Sequence, residues 1–161
     1  MFKNLLTNFD FLNLVIALLA LLLALYSIYY THRFNRRKIV IGSGVFHSDE
    51  MDPPIAWFTI HNTSPVSITV ADIAFLNSKG EDISPLLTHE PTQIPMYIIP
   101  DYKYAEPLDS PQVIQPYNSL DLGYYFDSVY RTMTIKVTCL EHIRLFRKSK
   151  SFVTMFSDIP D

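Results

Sequence analysis

The stretch FLNLVIALLALLLALYSIYY, residues 11–30, decides the architecture of this chain. Before its closing aromatic residues it contains only two polar residues, Asn13 and Ser27. A helix rises 1.5 Å per residue, so about twenty residues cover the roughly 30 Å hydrocarbon thickness of a bilayer. The sequence therefore predicts a transmembrane helix over residues 11–30, preceded by a short N-terminal tail, residues 1–10.

A cleaved signal peptide is the competing interpretation of this stretch. The apolar run is longer than the apolar region of a typical signal peptide, and no small-residue cleavage site follows it. Tyrosines stand where cleavage would fall, and a basic segment, residues 31–38, comes next, as is typical of a membrane interface. We therefore predict an uncleaved, single-pass span in the cell membrane. Its predicted interface residues are Tyr26, Tyr29, Tyr30, Arg33, Arg36, Arg37 and Lys38.

The charge of the chain divides sharply at the end of the basic segment. Residues 1–38 carry five basic residues and one acidic residue, a net charge of +4, whereas residues 39–161 carry eight basic and fifteen acidic residues, a net charge of −7. Lys and Arg beside a span tend to stay in the cytoplasm, which favours a cytoplasmic soluble domain. An acidic domain argues against direct nucleic-acid binding. The expected partners are the lipid bilayer and a membrane or envelope protein.

Residues 39–161 show the period-two alternation of half-buried strands. The clearest case is 131–140, in which apolar residues alternate with threonines and a lysine. Further strands are predicted over 39–46, 55–60, 66–76 and 120–126, with a C-terminal hairpin formed by 143–146 and 152–156. Short strands separated by turn signals predict a mostly β domain, an antiparallel Ig-like β-sandwich, with a closed barrel as the alternative.

The segment 85–116 departs from this alternation because it holds seven prolines. Proline lacks a backbone donor, so the segment is expected to form a long loop with at most an edge strand. Long ordered loops are often functional, and tyrosines supply rigid contact area. Tyr97, Tyr102 and Tyr104 are therefore the candidate binding residues. The alternative is that the segment caps the open end of the core.

No pattern of residues predicts a metal site, a cofactor or a catalytic set. Cys139, the only cysteine, forms a lone CLEH pair with His142, and its strand phase makes it a core residue. Asp49, Glu50 and Asp52 lack the spacing of a calcium loop, so a solvated turn is expected there.

Two further motifs each allow two interpretations. Asn62-Thr63-Ser64 matches a glycosylation sequon and also makes a good turn. The basic group Arg144, Arg147, Lys148 and Lys150 suits anionic lipid headgroups or an acidic partner, and equally suits a hairpin tip kept soluble by its charge.

The segments HNTSPVSITV, residues 61–70, and VIQPYNSLDL, residues 113–122, look like strand-turn-strand pieces of small prophage-encoded membrane proteins. With the layout of span, basic segment and β domain, the chain resembles superinfection-exclusion proteins of temperate phages of Gram-positive bacteria. The resemblance implies a non-enzymatic protein that stops incoming phage DNA at the host membrane. The alternatives are a structural subunit or assembly factor of a membrane complex and, less favoured, an enzyme acting at the bilayer whose site is assembled from distant residues.

Overall fold

A computed structural model of the chain describes residues 2–42, 44–48, 52–89, 106–143 and 146–158. The chain divides into two compact units, Met1–Arg36 and Arg37–Asp161.

The first unit is one helix, α1, Phe2–Phe34. It extends beyond the predicted 11–30 at both ends. Within it, Phe9–Thr31 is long and apolar enough to cross a membrane, and none of the most apolar part of this stretch is buried inside the protein. A helix whose apolar residues point in all directions needs an apolar environment on every side, as a span has.

The second unit is mostly β, with nine strands in the part of the chain that the structure describes. They are β1 Ile39–Ile41, β2 Gly44–His47, β3 Ile55–Asn62, β4 Ile68–Leu76, β5 Asp82–Ile83, β6 Gln112–Ile114, β7 Ser119–Tyr125, β8 Thr132–Cys139 and β9 Ser149–Asp158. The strands predicted at 55–60, 66–76, 120–126 and 131–140 are confirmed, with ends that shift by at most two residues. The strand predicted at 39–46 is two strands, β1, which ends at Ile41, and β2, which begins at Gly44.

The strands form one mixed sheet in the order β1-β3-β2-β9-β8-β4-β5, with β6 paired to β4 and β7 paired to β3. The sheet is not closed, so the barrel alternative does not hold for the described strands. Antiparallel pairing is the rule, but β2 and β9 run parallel, with Gly44 opposite Phe156. A Cβ on Gly44 would lie 2.5 Å from Phe156 Cε1, so only glycine allows this close approach.

The first strand of the predicted C-terminal hairpin, 143–146, is wrong at its described residues, because Ile143 and Phe146 lie in no strand. β9 pairs with β8, from Thr132 opposite Met155 to Thr138 opposite Ser149. The backbone ladder ends where Cys139 N donates to Lys148 O at 2.8 Å, and the chain from 140 to 148 connects the two strands. In that connection Ile143 is buried, although it lies in no strand.

One core receives side chains from strands along the whole sheet path. Phe58 of β3, Phe75 of β4 and Tyr124 of β7 are buried and pack together, with ring centroids 4.7 to 6.0 Å apart. The rings of Phe58 and Tyr124 are stacked, and Phe75 meets both of them edge-on. The alternation in β3 and β8 sends every second side chain into this core. Apolar burial of this kind is the main source of stability for the domain.

Asn62 is a polar hub at the end of β3 and is only 1% exposed. Its amide nitrogen donates to the carbonyl oxygens of Val66, Ile114 and Gln115 at 2.8, 3.1 and 3.0 Å. Its oxygen accepts from both the backbone nitrogen and the hydroxyl of Ser64. The folded structure therefore fits the turn interpretation of the Asn-Thr-Ser motif, because a glycan on this nitrogen would break the hub.

Candidate functional site

The three candidate binding tyrosines, Tyr97, Tyr102 and Tyr104, lie in 90–105, outside the described residues. The structure describes both flanks of this stretch, 85–89 and 106–108, and shows what holds them.

The N-terminal flank is fixed to the end of β7. Leu86 N donates to Tyr125 O at 2.7 Å, and the His89 ring meets the Tyr125 ring edge-on with centroids 4.5 Å apart. His89 Nε2 also lies 3.3 Å from Asp52 Oδ1. Asp52 is 6% exposed, so the expectation of a solvated turn is wrong for this residue. Its carboxylate turns inward because the imidazole offers it a polar partner.

The C-terminal flank is fixed to the same strand. Gly123 N donates to Glu106 O at 3.4 Å, and Leu108 N donates to the Tyr124 hydroxyl oxygen at 3.0 Å. Burial raises the pKa of Tyr124 to about 12, with a smaller contribution from Asp72, against the lowering effect of the hydrogen bond from Leu108. The phenol is therefore neutral at physiological pH.

Both flanks meet the same edge of β7. Residues two apart in a strand direct their backbone groups to the same side. Gly123 N and Tyr125 O therefore face one edge, and β3 occupies the other edge. The stretch 90–105 thus starts and returns at neighbouring points of a single strand edge, which the flanks cover.

The outer face of β3 and β7 carries a small second cluster beside these flanks. Ile55 pairs with Tyr125, both are buried, and Trp57 packs against them while remaining partly exposed. Neither this cluster nor the contact between Asp52 and His89 was predicted from the sequence. The aromatic run at 124–126 was the available signal, because one strand cannot direct three successive rings to the same face.

The predicted interface tyrosines lie on the last turns of α1. Tyr26 and Tyr30 stack with centroids 6.2 Å apart, and Tyr30 and Phe34 follow at 6.1 Å, as residues four apart do on one helix face. Arg33 donates from its guanidinium to the Tyr29 hydroxyl at 3.1 Å. The arrangement combines amphipathic rings with an adjacent cation, the chemistry of an interfacial belt.

The remaining predicted interface residues divide between the two units. Arg36 ends the first unit and is exposed, whereas Arg37 begins the second and is partly buried. Arg37 Nε has no hydrogen-bond partner among the described residues. Lys38 is exposed, and its carbonyl oxygen accepts a hydrogen bond from Thr63 N at 3.0 Å.

Glu141 is held at the start of β4. Its carboxylate accepts from Thr69 N at 2.9 Å and from Thr69 Oγ1 at 2.8 Å. Burial alone would raise the pKa of Glu141, but the hydrogen bonds from Thr69 and the charge of Arg37 lower it on balance.

We expect Glu141→Gln to lower the free energy of unfolding by about 1 kcal/mol at pH 7. The wild-type pKa is depressed by folding, so this stabilisation exists above the ordinary glutamate pKa and is lost as the pH falls through the folded value. The free energies of unfolding are measured by urea titration in mild detergent at pH 7 and at pH 3, followed by Trp57 fluorescence. Wild type and Glu141→Gln should differ at pH 7, and this difference should disappear at pH 3. The exposed Glu106→Gln is the control; an equal gap at both pH values would contradict the assignment.

Cys139 is 1% exposed in β8. Burial, helped by the charge of Glu141 and opposed by that of Arg37, raises its thiol pKa to about 11. At pH 8 only about one thiol in a thousand is then ionised, and the thiolate is the reactive form. We expect iodoacetamide to label the folded protein at least about 100-fold more slowly than the urea-unfolded protein, as measured by mass spectrometry. Equal labelling rates would show that the thiol is accessible.

Among the described residues, no group of three or more His, Cys, Asp or Glu could hold a metal ion. A comparison of the chain with protein-family models and with curated proteins gives no match.

Proposed function

We propose that this protein is a single-pass membrane protein whose β domain binds a membrane or envelope protein through the segment 85–116, without enzymatic turnover. The observation that carries the proposal is the fixing of both flanks of 90–105 to one edge of β7. Closing a loop of this size costs conformational entropy, and fixed flanks offset that cost before a partner arrives. The anchor raises the local concentration of the domain beside its membrane-embedded partner.

An Ig-like sandwich is the arrangement that we propose for the β domain. β9 supports it, because its first part pairs with β8 and its last residues pair with β2, so one strand serves both halves of the sheet. The shared core of Phe58, Phe75 and Tyr124 gives the two halves a common apolar layer. Loops at one end of such a sandwich commonly form the binding surface.

The biological role that we propose is exclusion of superinfecting phage at the host membrane. It follows from the resemblance described above and from the combination of an anchor with a binding loop. In this role the domain would engage a membrane protein that incoming DNA requires. The Asp52–His89 pair is then a positioning contact for the loop flank.

Replacing Tyr97, Tyr102 and Tyr104 together by Ala tests the binding loop. We expect at least a ten-fold loss of protection when cells that produce the protein are challenged with temperate phages, because the rigid aromatic contacts supply the binding energy. Tyr117→Ala is the matched control, since Tyr117 is 71% exposed and lies in the turn just beyond the loop. Protection by the triple variant equal to that of wild type would remove the loop from the binding surface.

The side of the membrane is tested separately with a C-terminal tag. Protection of the tag from protease in intact cells, with digestion after lysis, supports a cytoplasmic domain. Digestion in intact cells places the domain outside, where its partner would be an envelope protein or a phage component. Resistance of the chain to alkaline extraction tests the uncleaved anchor.

A second candidate function is that of a constant subunit or assembly factor in a membrane complex. The observation that favours it is an exposed apolar pair on β9, Val153 and Met155, which are 74% and 78% exposed. Photocrosslinking from position 153 distinguishes the two functions. A stoichiometric partner present without phage supports the subunit, whereas crosslinks from position 102 that appear only on challenge support exclusion.

A further inference from the structure

Exposed apolar side chains and cations lie together in the connection between β8 and β9; we call its described residues, 140–143 and 146–148, the basic tip. Phe146 is 84% exposed and Leu140 is 52% exposed. Arg147 and Lys148 are exposed beside Phe146. Arg144 belongs to the same sequence but lies outside the described residues. Aromatic rings with neighbouring cations are the side chains that favour the headgroup region of a bilayer.

The base of the basic tip packs against the first residues of the β domain. Lys150 Nζ donates to Ile39 O at 2.9 Å, and Arg37 is close enough to Glu141 to lower its pKa. Lys150 is thereby used within the fold, with its ammonium also 4.4 Å from the centre of the Phe152 ring. The basic tip therefore lies at the end of the domain at which the chain arrives from α1.

Covalent connection limits how far this end can be from a membrane that holds α1. Eight residues lead from Thr31, the last residue of the apolar stretch, to Ile39. Residues 32–34 belong to α1 and rise about 1.5 Å each, and the other five reach at most about 18 Å when extended, so the eight residues span at most about 23 Å. Electrostatics then favours one orientation, because residues 39–161 carry a net charge of −7 and the basic tip is their local positive group. An anionic surface repels the remainder of the domain and attracts the tip.

We propose that the basic tip docks on anionic lipid headgroups of the same bilayer that holds α1, with Phe146 inserted at the interface and Arg147 and Lys148 on lipid phosphates. The docking rests on the anchor in the proposed function. It gives the β domain a second membrane contact, which would leave the segment 85–116 free for its protein partner.

The test uses the full chain in lipid nanodiscs with Phe146→Trp in a Trp57→Phe background, so that the only tryptophan is on the tip. In discs containing phosphatidylglycerol we expect blue-shifted emission and quenching by brominated acyl chains. In phosphatidylcholine discs, or with Arg147→Ala and Lys148→Ala added, we expect quenching to fall at least three-fold. Raising the salt concentration from 0.15 to 1 M should also reduce the quenching, because it shortens the screening length from about 8 to about 3 Å.

Met155→Trp in the same background is the matched control, because Met155 is equally exposed but lies toward the other end of the hairpin, opposite Thr132. Its emission should be water-like in both kinds of disc. Water-like, unquenched emission from position 146 in a chain that resists alkaline extraction would overturn the docking and leave the anchor intact. Extraction of the chain at alkaline pH would overturn both.

Discussion

Replacing Asn62 by alanine is expected to lower the free energy of unfolding of the β domain by about 3–5 kcal/mol. The asparagine side chain serves three carbonyl oxygens and both polar groups of Ser64 in a buried site. Alanine can replace none of these bonds, and each buried polar group left without a partner costs about 1–3 kcal/mol. The whole domain is stabilised by roughly 5–15 kcal/mol, so a large part of its stability depends on one side chain.

Urea unfolding of the full chain in mild detergent, followed by the fluorescence of Trp57, measures this loss. Trp57 is the only tryptophan and lies in β3, so it reports on the β domain alone. Asn77→Ala is the matched control. The Asn77 side chain also makes several hydrogen bonds, to Lys79 and Glu81, but in an exposed turn where water replaces them. We expect Asn77→Ala to lower the free energy of unfolding by about 1 kcal/mol or less. Similar losses for Asn62→Ala and Asn77→Ala would contradict the role of the Asn62 side chain in stabilising the domain.

Phe75→Ala is expected to cost about 3–5 kcal/mol, the range for removing a buried phenylalanine. The ring is 2% exposed and touches the rings of Phe58, Tyr124 and Phe126, the last at 5.2 Å between centroids. Its removal leaves a cavity among residues of both halves of the sheet, and the loss of aromatic pairs adds to the loss of apolar burial. The same urea titration measures the change in the unfolding midpoint.

Phe146→Ala is the matched control for Phe75→Ala, because it removes the same side chain from a site that is 84% exposed. Its effect on stability should stay within about 0.5 kcal/mol. Phe75→Leu keeps part of the volume and should fall between the two. If Phe75→Ala changed the free energy of unfolding only slightly, the packing of this ring against Phe58, Tyr124 and Phe126 would not stabilise the core.

The apolar helix and the long strands could be predicted because their signals are local. A stretch of twenty mostly apolar residues and the strict alternation over 131–140 are both patterns of neighbouring residues in the sequence. The assignment of 143–146 to a strand was wrong at its two described residues, Ile143 and Phe146, because a short run rich in apolar residues has the same pattern whether it pairs or turns. Ile143 is buried in the connection, and its backbone nitrogen bonds to Arg147 O at 2.9 Å instead of to a strand.

Contacts between distant residues left no signal in the sequence. The parallel pairing of β2 with β9 joins residues more than one hundred positions apart. The burial of Asp52 depends on His89, and the hub of Asn62 depends on carbonyl groups of Ile114 and Gln115. The candidate binding tyrosines stay a prediction, whereas the anchoring of their flanks to β7 was visible only in the structure.

The position of β9 in the sheet has a consequence for how the protein is made. β9 joins β2 to β8, and it is the last of the described strands to be synthesised. By the time it leaves the ribosome, α1 and the other eight strands have already emerged. The two halves of the sheet must therefore wait, with β2 and β8 each lacking a neighbour, until residue 158 is released. Translation at about 5–20 residues per second makes the interval between the end of β8 and the end of β9 a few seconds long. During that time the unpaired edges are open to chaperones, to proteases and to other nascent copies of the chain.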